Sequence, residues 1–115
     1  MSRTFVSGKL HGVTVTDASL DYNGSVGISF ELLDAADIAE YEQVHVINLN
    51  TGDRWVTYAI GIEAPGQFTL NGGGARLGVI GDRCVVLAYQ TTHDPAADVA
   101  FLSETNDIID TIEYR

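Results

Sequence analysis

Short runs in which apolar and polar residues alternate, interrupted by glycine, make up most of the chain, and one stretch alone carries a helical period. Over residues 3–16, Phe5, Val13 and Val15 are separated by threonine, serine and glycine, which predicts one or two strands with a break near Gly8 or Gly12. Lys9 and His11, two apart, share one face of such a strand. Residues 17–23 are turn-rich, so Gly24-Ser25 falls at the edge of the next strand, 26–30. Residues 31–38 are the helical stretch: Leu32, Leu33, Ala36 and Ile38 point inward from a single short helix, and Ser29 is available as its cap.

Residues 43–49 alternate imperfectly through Val44, Val46 and Leu49, and Asn50-Thr51-Gly52-Asp53 then turns the chain into a second strand, 54–62, a hairpin signature. On that strand Arg54, Val56 and Tyr58 face one way while Trp55, Thr57 and Ala59 face the other. Twist or a bulge is therefore needed if Arg54, Thr57 and Tyr58 are to serve one pocket. Pro65-Gly66 marks a turn, 68–70 a short strand, and Asn71-Gly72-Gly73-Gly74 a loop whose backbone a ligand can approach closely. This glycine run lacks the Walker spacing, having no Gly-Lys-Ser/Thr and no long helix after it, so a nucleotide site is rejected. Residues 79–82 read as a turn and 83–89 as a closing strand. The remainder, 90–115, carries six acids against one arginine and is expected as an acidic tail: a weak helix over 95–102, a mobile segment or one bound to a partner.

At 115 residues, with 45% of them hydrophobic and only 2 prolines, the chain is expected to fold as one domain whose function can sit at a subunit interface. No apolar run approaches the roughly 20 residues of a membrane span, and no signal-peptide core stands at the N-terminus, so the expected compartment is the cytoplasm. Cys84 lies in an apolar run, which suits a buried thiol better than a nucleophile or a metal ligand. The net charge of −10 argues against nucleic acid or an anionic membrane as partner. With only six basic residues, the placement of Lys9, the sole lysine, and Arg54 is informative, because an acidic protein that binds an anion must reserve cations for the site.

The bond with the most chemistry in it is Gly24-Ser25. Glycine reaches backbone conformations closed to other residues, so the Gly24 carbonyl can be held in a strained turn within reach of the Ser25 hydroxyl. Attack by that hydroxyl exchanges the amide for an ester; elimination frees Gly24 as a carboxylate, and hydrolysis of the resulting dehydroalanine leaves a pyruvoyl ketone at a new N-terminus. Four segments resemble, in order, the pyruvoyl-dependent aspartate decarboxylase family: Ser7-Gly8-Lys9-Leu10-His11; Tyr22-Asn23-Gly24-Ser25; Asn48 to Gly52 with Asp53-Arg54-Trp55-Val56-Thr57-Tyr58-Ala59-Ile60; and Asn71-Gly72-Gly73-Gly74-Ala75. The resemblance runs over residues 3–89.

That resemblance implies a mainly β fold, a double-psi β-barrel with one or two short helices over residues 1–90, self-cleaved between 24 and 25. It implies decarboxylation of L-aspartate to β-alanine for pantothenate and coenzyme A synthesis, with the pyruvoyl group from Ser25 as the built-in cofactor and no metal. In this pattern Lys9 and Arg54 match the cations on the substrate carboxylates, a task for which the guanidinium fork is suited. Tyr58 matches the proton donor to the decarboxylated carbon and Thr57 the hydroxyl that polarises the Gly24 carbonyl. Asn71, Gly72, Gly73 and Gly74 match the loop that orients substrate. The family also implies a homotetramer with sites shared between neighbouring subunits, and a maturation-activating protein is a further expected partner. Four positions depart from the pattern: Ser29 where an acid is usual, Gly73 and Gly74 where alanines are usual, and Ile47 near a tryptophan of some members. The alternatives are the same chemistry on another small amino acid, an unprocessed non-catalytic double-psi barrel that binds or regulates, and, last, a metal hydrolase, for which His11, His45 and His93 lack ligand-like spacing.

Overall fold

The computed structural model describes residues 2–21 and 23–115; Tyr22 of the second motif lies outside the described residues. Nine strands follow in chain order: β1 (Arg3–Thr14), β2 (Asp17–Ser19), β3 (Ser25–Ser29), β4 (Gln43–Asn48), β5 (Arg54–Ile62), β6 (Phe68–Asn71), β7 (Arg83–Thr92), β8 (Ala97–Leu102) and β9 (Ile108–Tyr114). One helix, α1 (Phe30–Ala35), and a 3-10 turn (Gly72–Arg76) complete the set among the described residues. This is the mainly β class expected, and the sheet order β2-β6-β3-β5-β4-β7-β1-β8-β9 is compatible with a double-psi barrel.

β5 joins the two halves of that sheet. Its first residues, Arg54 to Tyr58, pair antiparallel with β4, and Ala59 to Ile62 pair parallel with β3. On the opposite side, the chain leaving β1 is stitched across: the Val15 amide donates to the Asp82 carbonyl at 2.9 Å, Gly81 donates back to Val15 at 2.9 Å, and Thr16 donates to Phe68 at 2.8 Å. The two halves thus enclose one core of Leu10, Val13, Val26, Ile28, Val44, Val46, Phe68, Leu70 and Val86, each with no more than 1% of its surface exposed. Cys84 belongs to this core, and burial, then the nearby Asp82, pushes its thiol up to about 12.

The expected break in the first strand takes the form of two register shifts, between Val6 and Gly8 and between His11 and Val13. At the second, Gly12 adopts φ 84° and its carbonyl accepts from Arg83 Nε at 2.6 Å. Several local expectations are corrected. Asp17–Ser19 is a strand paired with β6, not part of a turn. Leu49 is half exposed, and Asn48 takes the inward place after Val44 and Val46. Ser29 makes no cap to α1; its hydroxyl donates to the Ala64 carbonyl at 2.6 Å and accepts from the Gln67 amide at 2.7 Å, fastening the end of β3 to the loop before β6.

The C-terminal stretch forms neither the weak helix nor a loose tail. β8 runs parallel to β1, with Gly8 to His11 opposite Asp98 to Phe101, and β9 folds back on β8 as the sheet's last strand. Its alanines favour a helix, but the free edge of β1 offers a ladder and a place to bury Val99, Ala100 and Leu102, and tertiary pairing overrides so weak a propensity.

Candidate active site

Ser25 opens β3 and is paired with Asn71 at the end of β6. Only 4% of its surface is exposed, and its hydroxyl accepts a hydrogen bond from Asn71 Nδ2 at 3.0 Å. Gly24 is exposed, with nothing within 4 Å of where a side chain would start. Ser25 takes a positive φ of 156° as it opens the strand, and Gly24 before it lies in a bend. What the fold supplies is a sequestered, oriented hydroxyl immediately after an open peptide.

The glycine run follows Asn71 directly. Gly72 takes φ 66°, and the chain coils as a 3-10 turn over Gly72–Arg76 where an open loop was expected. Gly74 approaches Trp55, whose indole nitrogen would lie 3.0 Å from an added Cβ. Between β3 and β5 the parallel ladder begins with Val26 opposite Ala59. Continued back by one and two residues, that register sets Tyr58 level with Ser25 and Thr57 level with Gly24. The β5 burial pattern alternates cleanly: Arg54, Val56 and Tyr58 are exposed, Trp55 and Thr57 half-buried. No bulge turns Arg54, Thr57 and Tyr58 to a common side.

The other candidates collect on the outer face of the sheet. Arg54 pairs with Ile47, Ile47 with Val85, Val85 with His11, and His11 with Phe101. Two residues along, Val56 pairs with His45, His45 with Leu87, Leu87 with Lys9, and Lys9 with Val99. Paired residues point to one side of a sheet, and the intervening Leu10, Val44, Val46, Val86 and Ala100 are all at 0% exposure. Lys9 and His11 therefore share a face, as predicted, and Arg54 shares it with them. The Arg54 side chain leans across two strands, donating from Nη2 to His45 Nδ1 at 3.1 Å and to the Tyr89 hydroxyl at 2.8 Å, which brings its charge toward Lys9.

Among the described residues the only ion pairs are those of Arg115 with Asp98 and Glu113. In a chain with 16 acids, Lys9 and Arg54 thus face outward with no carboxylate within ion-pair distance. Ser25 is far from Lys9 in the same chain: β5, β4 and β7 lie between β3 and β1, roughly 19 Å of arc at the usual strand spacing. Arg54 stands on β5, next to β3, but four residues along the strand from Tyr58, and its guanidinium leans away to Tyr89 on β7. One subunit brings Ser25, Asn71 and the glycine turn together, with Tyr58 and Thr57 level with them, and gathers Lys9, His11 and Arg54 elsewhere.

The surroundings of His11 disfavour its protonated form. Burial first, then Lys9 and Arg83, lower its pKa from 6.5; its ring packs on Phe101 with centroids 5.6 Å apart, and Nδ1 is buried with no partner among the described residues. Because the folded protein resists a proton that the unfolded chain accepts, this residue's contribution to stability is complete above pH 6.5 and declines as the pH falls below it. Thermal melts from about pH 7.5 to 5 should show a steeper acid-side loss for the native chain than for His11→Phe; parallel curves would contradict this assignment.

Sequence reasoning gave no role to three residues that shape this region: His45 and Tyr89, which touch Arg54, and Asn48, quoted only as the start of a motif, whose amide donates to the Leu77 carbonyl and to Asp82 Oδ2, both at 2.9 Å. The alternation of His45 with Ile47 along one strand hinted at the first; the contacts of the others cross separate strands and turns, which local pattern does not signal.

Comparison with known proteins gives this arrangement a context. A family model described as aspartate decarboxylase matches residues 1–109. The aspartate 1-decarboxylase of Acaryochloris marina is 51% identical over 90 residues, 77% of this chain and 69% of that protein. Aspartate 1-decarboxylase 2 of Gloeobacter violaceus is 53% identical over 90 residues, 77% of this chain and 72% of the relative. The aspartate 1-decarboxylase of Campylobacter jejuni is 38% identical over 120 residues, spanning 100% of this chain and 95% of its own length. The match runs from the first strand into the last and takes in Lys9, Ser25, Arg54 and Asn71 together, and on that ground the chain belongs to the aspartate decarboxylase family.

Proposed function

We propose that this protein decarboxylates L-aspartate to β-alanine and carbon dioxide, supplying pantothenate synthesis, after cleaving itself between Gly24 and Ser25. The observation that carries the proposal is the buried Ser25 hydroxyl, held by the Asn71 amide beside the open Gly24 peptide. In cleavage the Ser25 oxygen bonds to the Gly24 carbonyl carbon as the C–N bond breaks, with the proton passing to nitrogen. Loss of the Ser25 α-proton then expels Gly24 as a carboxylate. Water adds to the remaining double-bonded residue and ammonia leaves, which yields the ketone. Thr57, level with Gly24, donates to the carbonyl oxygen as negative charge develops there.

The pyruvoyl ketone, where a serine stands now, supplies the electron sink that decarboxylation of an amino acid requires. The side chains fit it: an amide donor is already aimed at the position, and the glycine turn leaves room beside it. Lys9 and Arg54 hold the substrate's carboxylates, a role supported by their lack of acidic partners among the described residues. Tyr58 delivers a proton to the substrate carbon that has lost carbon dioxide, while Asn71, Gly72, Gly73 and Gly74 orient the substrate. Lys9 lies far round the sheet from its own Ser25, and the Arg54 guanidinium leans away from β3 toward β7, so the site is proposed to be completed by a neighbouring subunit's cations in a homotetramer. An activating protein is proposed to assist cleavage, and the free buried Cys84 agrees with a cytoplasmic setting.

Carbon dioxide release from aspartate, glutamate and cysteine, measured per cleaved chain, tests the reading. Aspartate should exceed both others by at least about tenfold, since a misplaced side-chain carboxylate leaves a cation unpaired. A faster reaction with glutamate or cysteine would reassign the substrate, and a cleaved chain that releases no gas from any of them would remove the decarboxylase assignment.

A further inference from the structure

The Arg54 guanidinium is not free to choose its orientation. Both N–H groups of Nη2 are engaged, one on His45 Nδ1 at 3.1 Å and one on the Tyr89 hydroxyl at 2.8 Å. An arginine can only donate, so His45 Nδ1 must offer its lone pair and the ring must carry its hydrogen on Nε2. His45 and Tyr89 are themselves fixed against each other, edge to face, with ring centroids 4.9 Å apart. The cavity of about 430 Å³ beside them is lined by Thr4, Gln43, His45, Tyr89 and Thr91, so no carboxylate competes there for the charge. Three N–H groups of Arg54, two on Nη1 and one on Nε, have no partner among the described residues and stay available to a ligand.

We propose that His45 and Tyr89 are positioning residues for the decarboxylation, gripping Arg54 by one nitrogen so that its remaining donors present a fixed edge to the substrate carboxylate. This rests on the reading of Arg54 as a substrate-binding cation. An exposed arginine otherwise spreads over many rotamers, and ordering it on binding weakens affinity; a guanidinium fixed beforehand avoids that loss. Carboxylate binding of this kind acts equally on substrate and transition state, so its disturbance appears in KM and not in kcat.

The test is steady-state kinetics per cleaved chain on His45→Leu, His45→Asn, Tyr89→Phe and Arg54→Gln, with the first and third repeated in the Arg54→Gln background. Tyr89→Phe and His45→Leu should each raise KM for aspartate about five- to tenfold, the size of one lost hydrogen bond, with kcat within about twofold. His45→Asn keeps an acceptor near the place of Nδ1 and should recover most of the loss. In the Arg54→Gln background both changes should be silent, because they act through the missing guanidinium. An unchanged KM in Tyr89→Phe and His45→Leu, or equal shifts with and without Arg54, would overturn the positioning role while leaving Arg54 as a binding residue. If Arg54→Gln itself left KM unchanged, the underlying assignment of Arg54 would fall. Tyr89→Phe removes a single oxygen from a half-buried ring and decides the matter alone should His45→Leu not fold.

Discussion

Replacing Ser25 by alanine should leave the chain in one piece and abolish carbon dioxide release altogether. The effect exceeds that of any binding-site change because one oxygen serves twice in succession: it attacks the Gly24 carbonyl, and its departure creates the unsaturated residue that becomes the ketone. Alanine offers no nucleophile, so the first step stops, and no other residue can supply the missing group. The fold should be untouched, since Ser25 makes its one side-chain bond with Asn71 and the β3 ladder to β5 and β6 is backbone. Intact chain mass and gas release, measured on the same preparation, check both halves. A Ser25→Ala protein that still split at this bond would place the nucleophile elsewhere.

Asn48→Ala should give the largest loss of stability. The side chain is at 0% exposure and makes four hydrogen bonds: it donates to Leu77 O and Asp82 Oδ2, and accepts from the Asn50 and Thr51 amides at 2.8 and 3.3 Å. It thereby ties the end of β4, the turn into β5, the turn before β7 and the segment leaving the glycine turn. Alanine would strand several of these groups away from water, at about 1–3 kcal/mol for each left unpaired, giving a total of roughly 3–5 kcal/mol. Against a domain stability of about 5–15 kcal/mol this is a large share, and the melting temperature should drop by roughly 10 °C or more. Asn48→Asp should be worse at neutral pH, as it sets a second carboxylate against Asp82 and loses both donors. A drop of only a degree or two in Asn48→Ala would mean that water replaces these bonds at no cost.

The parts of this molecule that could be read from the sequence are those fixed by local pattern. Alternation located the β4–β5 hairpin, with Gly52 at φ 82° in its turn, and the faces of β5. The period of Leu32, Leu33 and Ala36 located the one helix. Lys9 and His11 were placed on one face because a strand leaves no choice. Pairing between distant strands was not legible: nothing in residues 95–102 announces a parallel ladder on β1, and nothing in Ser29 says that its hydroxyl prefers Ala64 to the helix it precedes. The same limit applied to the site. Its residues came from the motif order, whereas the separation of Ser25 from Lys9, and the hold of His45 and Tyr89 on Arg54, arise from strand order, which local pattern does not encode.

The most direct test of the central claim is the mass of the purified chain under denaturing conditions, with N-terminal sequencing of whatever pieces appear. Scaling 12.4 kDa over 115 residues, cleavage between 24 and 25 gives pieces of roughly 2.6 and 9.8 kDa, the larger blocked to sequencing because its first residue carries a ketone and no amine. That pair is the predicted result. A chain that stays at 12.4 kDa after prolonged warming, and again after addition of lysate from the source cells to supply an activating protein, would contradict the account and leave an uncleaved barrel without its cofactor.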